Sequence, residues 1–496
     1  MPKMPFDIEL AERRLIELDD EVKFLPGHPR AVTLRRGVED IVRQILETVA
    51  ANDPRFTSRL VPAGSFYDGV KVGCQYEFDY QVELVELSAR GRCHIDRHTG
   101  PKYVVVRPAN DETTEQWKDC LHLVDSNGSV LDSTKIKKAF LRAVETAISF
   151  VRFPSGWAPD TQAVIVDSSH YLIGKTPTHP TGINKPICVK MNGPAILVGL
   201  QYNEDGSSGD KDNEEARAKC NHDSDFVSVD LAPSIRIAKR REYFRDRFLA
   251  ESCEDWRFSF LKHVMECDDI PLYIVCSKTD VSLPSHLWRL SCSCMEAALI
   301  QRLSPNSVHI RAMRLMKHLN GKFGAKSNAD LPPELFEDIG KEFGVDSKQL
   351  MADTLYFARR YENPPVIPSY EIKTLFLWDL YGPKALDHDE PPMIVSTLIR
   401  WFATLGTRYN IDKARLYAVV VPPEISFVKT MEVMFARTSH FFLASSISSA
   451  SMSHSGVERL TDAICGMVGY IESLGTRTAD STADDSWVMF YKRPDM

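Results

Sequence analysis

The sequence contains no run of about 18 apolar residues, the length that a membrane-crossing helix needs, so no membrane span is expected. Its eleven cysteines in 496 residues are scattered, odd in number and without a repeating spacing. That pattern excludes a disulfide framework and suits a reducing compartment. Positive charge is not in excess either. The formal net charge is −8, so any contact with nucleic acid must use a local patch. No internal repeat is found. The opening MPKMPFDIELAERRLIELDDEV carries acids throughout and no apolar core, unlike a secretion signal, and the cytoplasm is the expected location. With 43% hydrophobic and 26% charged residues, the composition is that of a globular protein and not of a disordered one. The length allows two or three domains, or one large bilobal protein.

What is present changes character along the chain. Two helices are predicted at the start. The second, VTLRRGVEDIVRQILETVAAN, places Leu34, Val38, Ile41, Val42, Ile45, Leu46 and Val49 on one stripe. Arg36 and Arg43 fall off that stripe and Arg35 sits at its edge. FTSRLVPAGS reads as a short strand entering a Gly-Ser turn. Further strands are predicted at KYVVVRP, AVIVDS, ICVKMNGPAILVGLQY, FVSVDLAPSIRI and LYIVCSK. A long helix, STKIKKAFLRAVETAISFVRF, interrupts them, with Ser133 or Thr134 as its N-cap. NEDGSSGDKDNEEARAKCNHDSD is polar and Gly/Ser-rich and reads as a flexible insertion. From about Leu287 helical periods dominate: HLWRLSCSCMEAALIQRL, HIRAMRLMKHLNGKF, PELFEDIGKEFG, SYEIKTLFLWDLY, PMIVSTLIRWFATLGTRY and a stretch near 455–473. The expected class is α+β, with a mixed-sheet lobe over residues 1–284 and a helical lobe over 285–496.

The chemistry concentrates in GSFYDGVKVGCQYEFDYQVEL, residues 64–84. Strand side chains alternate, so Glu77, Asp79, Gln81 and Glu83 share one face and Phe78, Tyr80, Val82 and Leu84 the other. Alone, this pattern describes a half-buried strand with a wet polar face. A third acid changes that reading. In DFVSVDLAPSIRI, Asp230 shares a face with Ser228. If the two strands are neighbours, three carboxylates meet and repel one another unless a hard cation lies between them. Magnesium, which takes carboxylate, water and phosphate oxygens, suits such a site. Gly64 and Ser65 supply the complement: glycine lets backbone approach a triphosphate, and the neighbouring N–H groups and the Ser65 hydroxyl can donate to it. Gly-Ser, then Glu-x-Asp, then a later strand-borne Asp is the pattern of the polymerase-β-like nucleotidyltransferases.

The same segment, followed in order by GPAILVGL, VSVDLAPSI, LYIVCSK, HLWRLSCSCMEAALI, AMRLMKHL and SYEIKTLFLW, resembles the cyclic GMP–AMP synthase family and its metazoan synthase-like receptors. The resemblance covers residues from about 30 to 400. It implies a bilobal polymerase-β-like nucleotidyltransferase fold, with a long spine helix beside the catalytic sheet and a helical lobe completing the nucleotide pocket. It also implies that Glu77, Asp79 and Asp230 hold two magnesium ions, with manganese as the other candidate, and that Gly64 and Ser65 hold the triphosphate. Arg289, Ser291, Ser293 and Glu296 fall where the family contacts nucleobase and ribose. Lys317 matches a lysine reaching donor phosphates. Ser369 and Lys373 match phosphate contacts, and Tyr370 a residue stacking on a base. Without the resemblance, Lys317 reads equally as a solvated helix lysine, Tyr370 as a packed helix start, and Ser291 and Ser293 as caps.

The chain departs from the founding synthase at one place. IQRLSPNSVHIRAMRLMKHL passes directly between two helices with His309 but no cysteine, so the family's zinc-binding insertion is absent and no structural zinc is expected. CHIDRH and CLH fit no zinc spacing. Basic residues cluster in three runs: Arg35, Arg36 and Arg43; Lys135, Lys137, Lys138 and Arg142; and Arg236, Lys239, Arg240, Arg241, Arg245 and Arg247. Such runs are usually solvated faces, but in this family a basic face behind the active site docks an activating nucleic acid. Without the zinc insertion, double-stranded RNA, read by shape and backbone, is favoured over DNA. The expected activity is synthesis of a cyclic dinucleotide second messenger from two ribonucleoside triphosphates in innate immune signalling, with a ligand-dependent dimer. The rival expectations are a catalytically inactive scaffold on the same fold, disfavoured by the intact acid trio, and a template-independent RNA-tailing enzyme.

Overall fold

The computed structural model describes residues 7–25, 27–72, 76–97, 103–124, 128–159, 189–202, 226–237, 270–277, 284–291, 293–324, 367, 369–381 and 393–408, with isolated positions between 464 and 474. Helix α1 (Ile8–Val22) starts where the Asp7 carboxylate accepts the Leu10 N–H at 2.9 Å, satisfying a donor that the helix itself leaves open. Helix α2 (Pro29–Asn52) starts on a proline, whose missing N–H costs nothing at that position. It buries the predicted stripe from Leu34 to Val49, while Arg36 and Arg43 stay exposed.

The chain then lays down β1 (Ser58–Ala63), α3 (Gly64–Asp68), β2 (Tyr76–Leu84), α4 (Val85–Ser88), β3 (Cys93–Arg97), β4 (Tyr103–Pro108), α5 (Asp111–Gln116), β5 (Leu121–Leu123), β6 (Ser129–Leu131) and α6 (Ser133–Ala147). Strands β7 (Trp157–Pro159), β8 (Val189–Asn192), β9 (Ala195–Tyr202), β10 (Phe226–Arg236), β11 (Tyr273–Cys276) and β12 (Trp288–Ser291) follow. Helices α7 (Ser293–Gln301), α8 (Val308–Gly324), α9 (Ser369–Tyr381) and α10 (Ile394–Arg408) complete the described elements.

Ten strands form one mixed sheet whose main path runs β1-β2-β10-β11-β12-β4-β3. Strand β10 is its centre. One edge pairs parallel with β2 from Val227 to Ser234; the other pairs antiparallel with β9 up to Leu231 and with β11 from Ser234. Pro233, which has no N–H to donate, falls in the gap between those two partners, where a ladder bond is not required. The apolar face of β2 and β10 (Phe78, Tyr80, Val82, Leu84, Val227, Val229 and Leu231) is fully enclosed in the core. The architecture is a mixed sheet with helices, in agreement with the α+β expectation. Among the described residues, no helix is long and apolar enough to cross a membrane.

Three expectations are corrected. HLWRLS does not continue the helical region: Trp288–Ser291 is strand β12, paired with β11 and β4, and the helix begins only at Ser293. Leu290 and Trp288 fit either period over so few residues, and the open edge of β11 decides in favour of strand. The N-cap of α6 is neither Ser133 nor Thr134. Asp132 accepts the Thr134 and Lys135 N–H groups at 2.9 and 3.0 Å, freeing the buried Ser133 hydroxyl to donate to the Leu287 carbonyl at 2.6 Å. Lys137 does not join a solvent-facing basic run. It is fully buried, and its ammonium donates to the carbonyls of Gly193 at 2.8 Å and Ser277 at 3.0 Å.

Helix α1 is locked to α8 beyond the sheet. Asp19 on α1 is fully buried and accepts from Arg314 Nε at 2.7 Å and Nη2 at 2.6 Å on α8. The strand AVIVDS, the polar segment 203–225, the helix PELFEDIGKEFG and the basic residues 239–247 lie outside the described residues.

Candidate functional site

Parallel pairing of β2 with β10 sets Asp230 directly opposite Asp79 and Ser228 opposite Glu77. Glu77 and Asp79 share a face by the two-residue period, and a cross-strand partner shares it too. One oxygen from each of Glu77, Asp79 and Asp230 lies within 4.8 Å of the others. The enclosed apolar face beneath prevents the strands from sliding to separate them. Burial, then the neighbouring Glu77 and Asp230 charges, pushes the Asp79 carboxyl up to about 8. Burial and Glu77 push Asp230 up to about 7, although the Asn192 amide donates to both its oxygens at 3.3 and 3.1 Å. Three hard oxygen donors, two of which resist ionising because of burial first and of their neighbours' charge second, are the donor type that a magnesium- or manganese-type cation takes. Among the described residues this is the one such group.

Gly64 stands against this group. Ala63 pairs with Asp79 at the end of β1, so the chain turns into α3 directly beside that carboxylate. Gly64 has φ +78°, and a Cβ there would fall on the Asp79 carboxylate. Only glycine satisfies both the left-handed backbone and the close approach. Ser65, the next residue, is half-buried at the start of α3.

Four helices contribute charge around the acids. The Lys373 ammonium of α9 donates to Asp68 Oδ2 of α3 at 2.5 Å and lies 3.8 Å from Glu296 Oε2 of α7. Burial alone would lower the Lys373 pKa, but Asp68 and Glu296 outweigh it and hold it above the usual lysine value. Burial raises Glu296, opposed by Lys373. Lys317 of α8 donates to the Val70 carbonyl at 3.1 Å, and burial followed by repulsion from Lys373 and Lys71 pushes it down to about 7. Lys71 is buried, with its ammonium 3.7 Å from Glu77 Oε2.

Farther along β2 the polar face is not wet. Gln81 and Glu83 are only 4% and 2% exposed. The Gln81 amide donates to Ser291 Oγ at 2.7 Å and Ser293 Oγ at 2.5 Å, and the two hydroxyls are 3.1 Å apart. Glu83 accepts the Tyr273 hydroxyl at 3.0 Å and pairs with Arg236 at 3.4 Å. Arg289, exposed on β12, shares a strand face with Ser291 and feeds its charge to Glu296.

The structure therefore brings Gly64, Ser65, Glu77, Asp79, Asp230, Glu296, Lys317 and Lys373 into one neighbourhood, with Ser291 and Ser293 adjoining through Gln81 and Arg289 through its charge on Glu296. Ser369 and Tyr370 open α9, but their side chains lie outside the described residues. Sequence reasoning missed Asp68, Lys71, Gln81 and Asn192 as members. Gln81 had a signal, its place two residues beyond Asp79 on the same face; the others are joined by tertiary contacts alone. His309 faces Asp379 at 3.3 Å and is spent on the fold. Of the basic runs, Lys135, Lys138 and Arg142 on α6 are exposed, as are Arg36 and Arg43 on α2, and α2 packs on α6. No protein-family model matches the chain, and the curated proteins compared with it yield no match.

Proposed function

We propose that the chain is a metal-dependent nucleotidyltransferase that joins two ribonucleoside triphosphates into a cyclic dinucleotide, on a polymerase-β-like fold. The observation that carries this reading is the in-register triad: Glu77, Asp79 and Asp230 on adjacent parallel strands, with oxygens within 4.8 Å and Gly64 against Asp79. A ribose hydroxyl of one nucleotide attacks the α-phosphorus of the other, forming a phosphodiester and releasing pyrophosphate. A second transfer closes the ring and releases a second pyrophosphate. Bound magnesium ions would lower the cost of the attacking alkoxide and steady the departing pyrophosphate. The protein's own part is positioning and electrostatics. Glu77, Asp79 and Asp230 hold the reacting centre, Gly64 admits the triphosphate close to the backbone, and Lys317 and Lys373 balance its charge. Arg289, Ser291, Ser293 and Glu296 border the space for base and ribose. The exposed Lys135, Lys138 and Arg142 face is the reading's docking surface for double-stranded RNA.

The test is incubation with all four ribonucleoside triphosphates, magnesium and a panel of nucleic acids, with products identified by mass. A cyclic dinucleotide that disappears in Glu77→Ala/Asp79→Ala while the fold persists is the expected result. Wild-type protein that binds triphosphate but yields no product under any condition would support the inactive scaffold instead.

A further inference from the structure

Four lysines act on the acids: Lys190 of β8 on Asp230, and Lys71, Lys317 and Lys373, of which the last two already hold an acceptor. Lys373 donates to Asp68, and Lys317 to the Val70 carbonyl. Lys71 differs. Its side chain is 7% exposed, and among the described residues its ammonium meets only Glu77 Oε2, at 3.7 Å. That is beyond hydrogen-bonding reach. An ammonium has three donors, and those of Lys71 are not sealed from solvent, so they are free to meet an anion at the acid face.

The backbone beneath Lys71 is pinned on both sides. Its carbonyl accepts the Phe24 N–H at 3.3 Å, Val72 forms a bridge with Lys23 at the end of α1, and Lys317 holds Val70. The side chain is thus fixed at its base, buried along its stem and aimed at the triad, with its donors open. Its charge already acts there: it offsets part of the rise at Asp79 and opposes the charging of Lys317.

Resting on the nucleotidyltransferase reading, we infer that Lys71 is a counter-cation of the acid triad and a binding residue for the polyphosphate of the incoming nucleotide. Before ligand arrives, Lys71 offsets part of the triad's negative charge through Glu77. That same charge opposes the entry of a bare divalent ion. When the ion arrives already bound to polyphosphate, the phosphate oxygens accept charge-assisted hydrogen bonds from the ammonium in place of water. The site then discriminates in favour of the metal–polyphosphate complex over the free metal.

This inference requires effects of opposite sign. Repulsion between one ammonium and a divalent ion held in the same site would cost on the order of tenfold in affinity even at the dielectric of water. In Lys71→Met and Lys71→Gln, manganese alone, titrated by electron paramagnetic resonance, should bind about tenfold more tightly. Inorganic triphosphate with magnesium, titrated by calorimetry, should bind about tenfold more weakly, as expected when one charge-assisted hydrogen bond is removed. Lys71→Arg should stay near wild type in both. Thermal melts check that the variants fold; Gln serves where Met does not. Weakening of both ligands, or change in neither, overturns the inference. Wild-type protein that binds neither probe overturns the site reading itself.

Discussion

Replacing Asp79 by asparagine should stabilise the metal-free protein while abolishing the proposed dinucleotide synthesis. The Asp79 carboxyl is pushed from 3.8 to about 8, chiefly by burial and then by Glu77 and Asp230. The native state therefore holds a proton that the unfolded chain releases near pH 4. Between pH 3.8 and about 8 the unfolded state binds fewer protons, so stability falls as pH rises through that window. At about 1.4 kcal/mol per pH unit, the unscreened cost at about pH 7.5 is on the order of 5 kcal/mol. Glu77 is half-exposed and the acid face opens to water, so screening reduces this to about 1–2 kcal/mol. Asparagine keeps the shape and removes the charge. In chelator at about pH 7.5, Asp79→Asn should melt about 1–3 °C above wild type. At about pH 5 the gain should shrink, because wild-type Asp79 is then protonated already. Magnesium should raise the wild-type melting temperature at the higher pH and leave the variant unmoved. A variant that melts lower than wild type in chelator, or gains equally at both pH values, would refute the reasoning.

The buried pair between α1 and α8 and the exposed face of α6 make further predictions. Arg314→Met leaves Asp19 buried with Arg311 at 3.4 Å as its remaining cation, and should cost about 3–5 kcal/mol in denaturant melts. Asp19→Leu/Arg314→Met should recover most of that stability, because no charge is then stranded. Lys138→Glu/Arg142→Glu should weaken binding of double-stranded RNA and flatten its salt dependence. On duplex DNA the log–log slope falls by about 0.9 for each phosphate that is no longer neutralised, and RNA should follow in the same sense. Lys137→Met should leave that slope unchanged, since its ammonium is spent on the Gly193 and Ser277 carbonyls. Fluorescence anisotropy across a salt series reads both, and a flattened slope in Lys137→Met would refute the assignment.

Local order alone made several features legible. The α2 stripe from Leu34 to Val49 is buried as its helical period requires, and the alternation in YEFDYQVEL sets Phe78, Tyr80, Val82 and Leu84 inside. Both signals are sums over many residues, each of which is driven the same way by burial. The acids and the glycine of the candidate site were legible only in combination: Glu-x-Asp alone is an ordinary wet strand face, and the preceding Gly-Ser and the later strand-borne Asp230 gave it meaning. Trp288–Ser291 was not legible as a strand, because four residues fit two periods and the free edge of β11 made the choice.

The sequence by itself determined which residues bear charge, which bury, and that Glu77 and Asp79 share a face. Only the tertiary structure decided that Asp230 stands opposite Asp79, because a strand's register is set by a partner far away in the chain. It also decided which charges are spent. Lys137 and Lys138 are neighbours in one basic run, yet one is enclosed by two carbonyls and the other faces water. Lys71, a lone lysine in a loop, lies beside the triad because α1 and α8 fasten its backbone there. Electrostatic roles depend on distance and on exclusion from water, and a linear sequence specifies neither until the chain has packed.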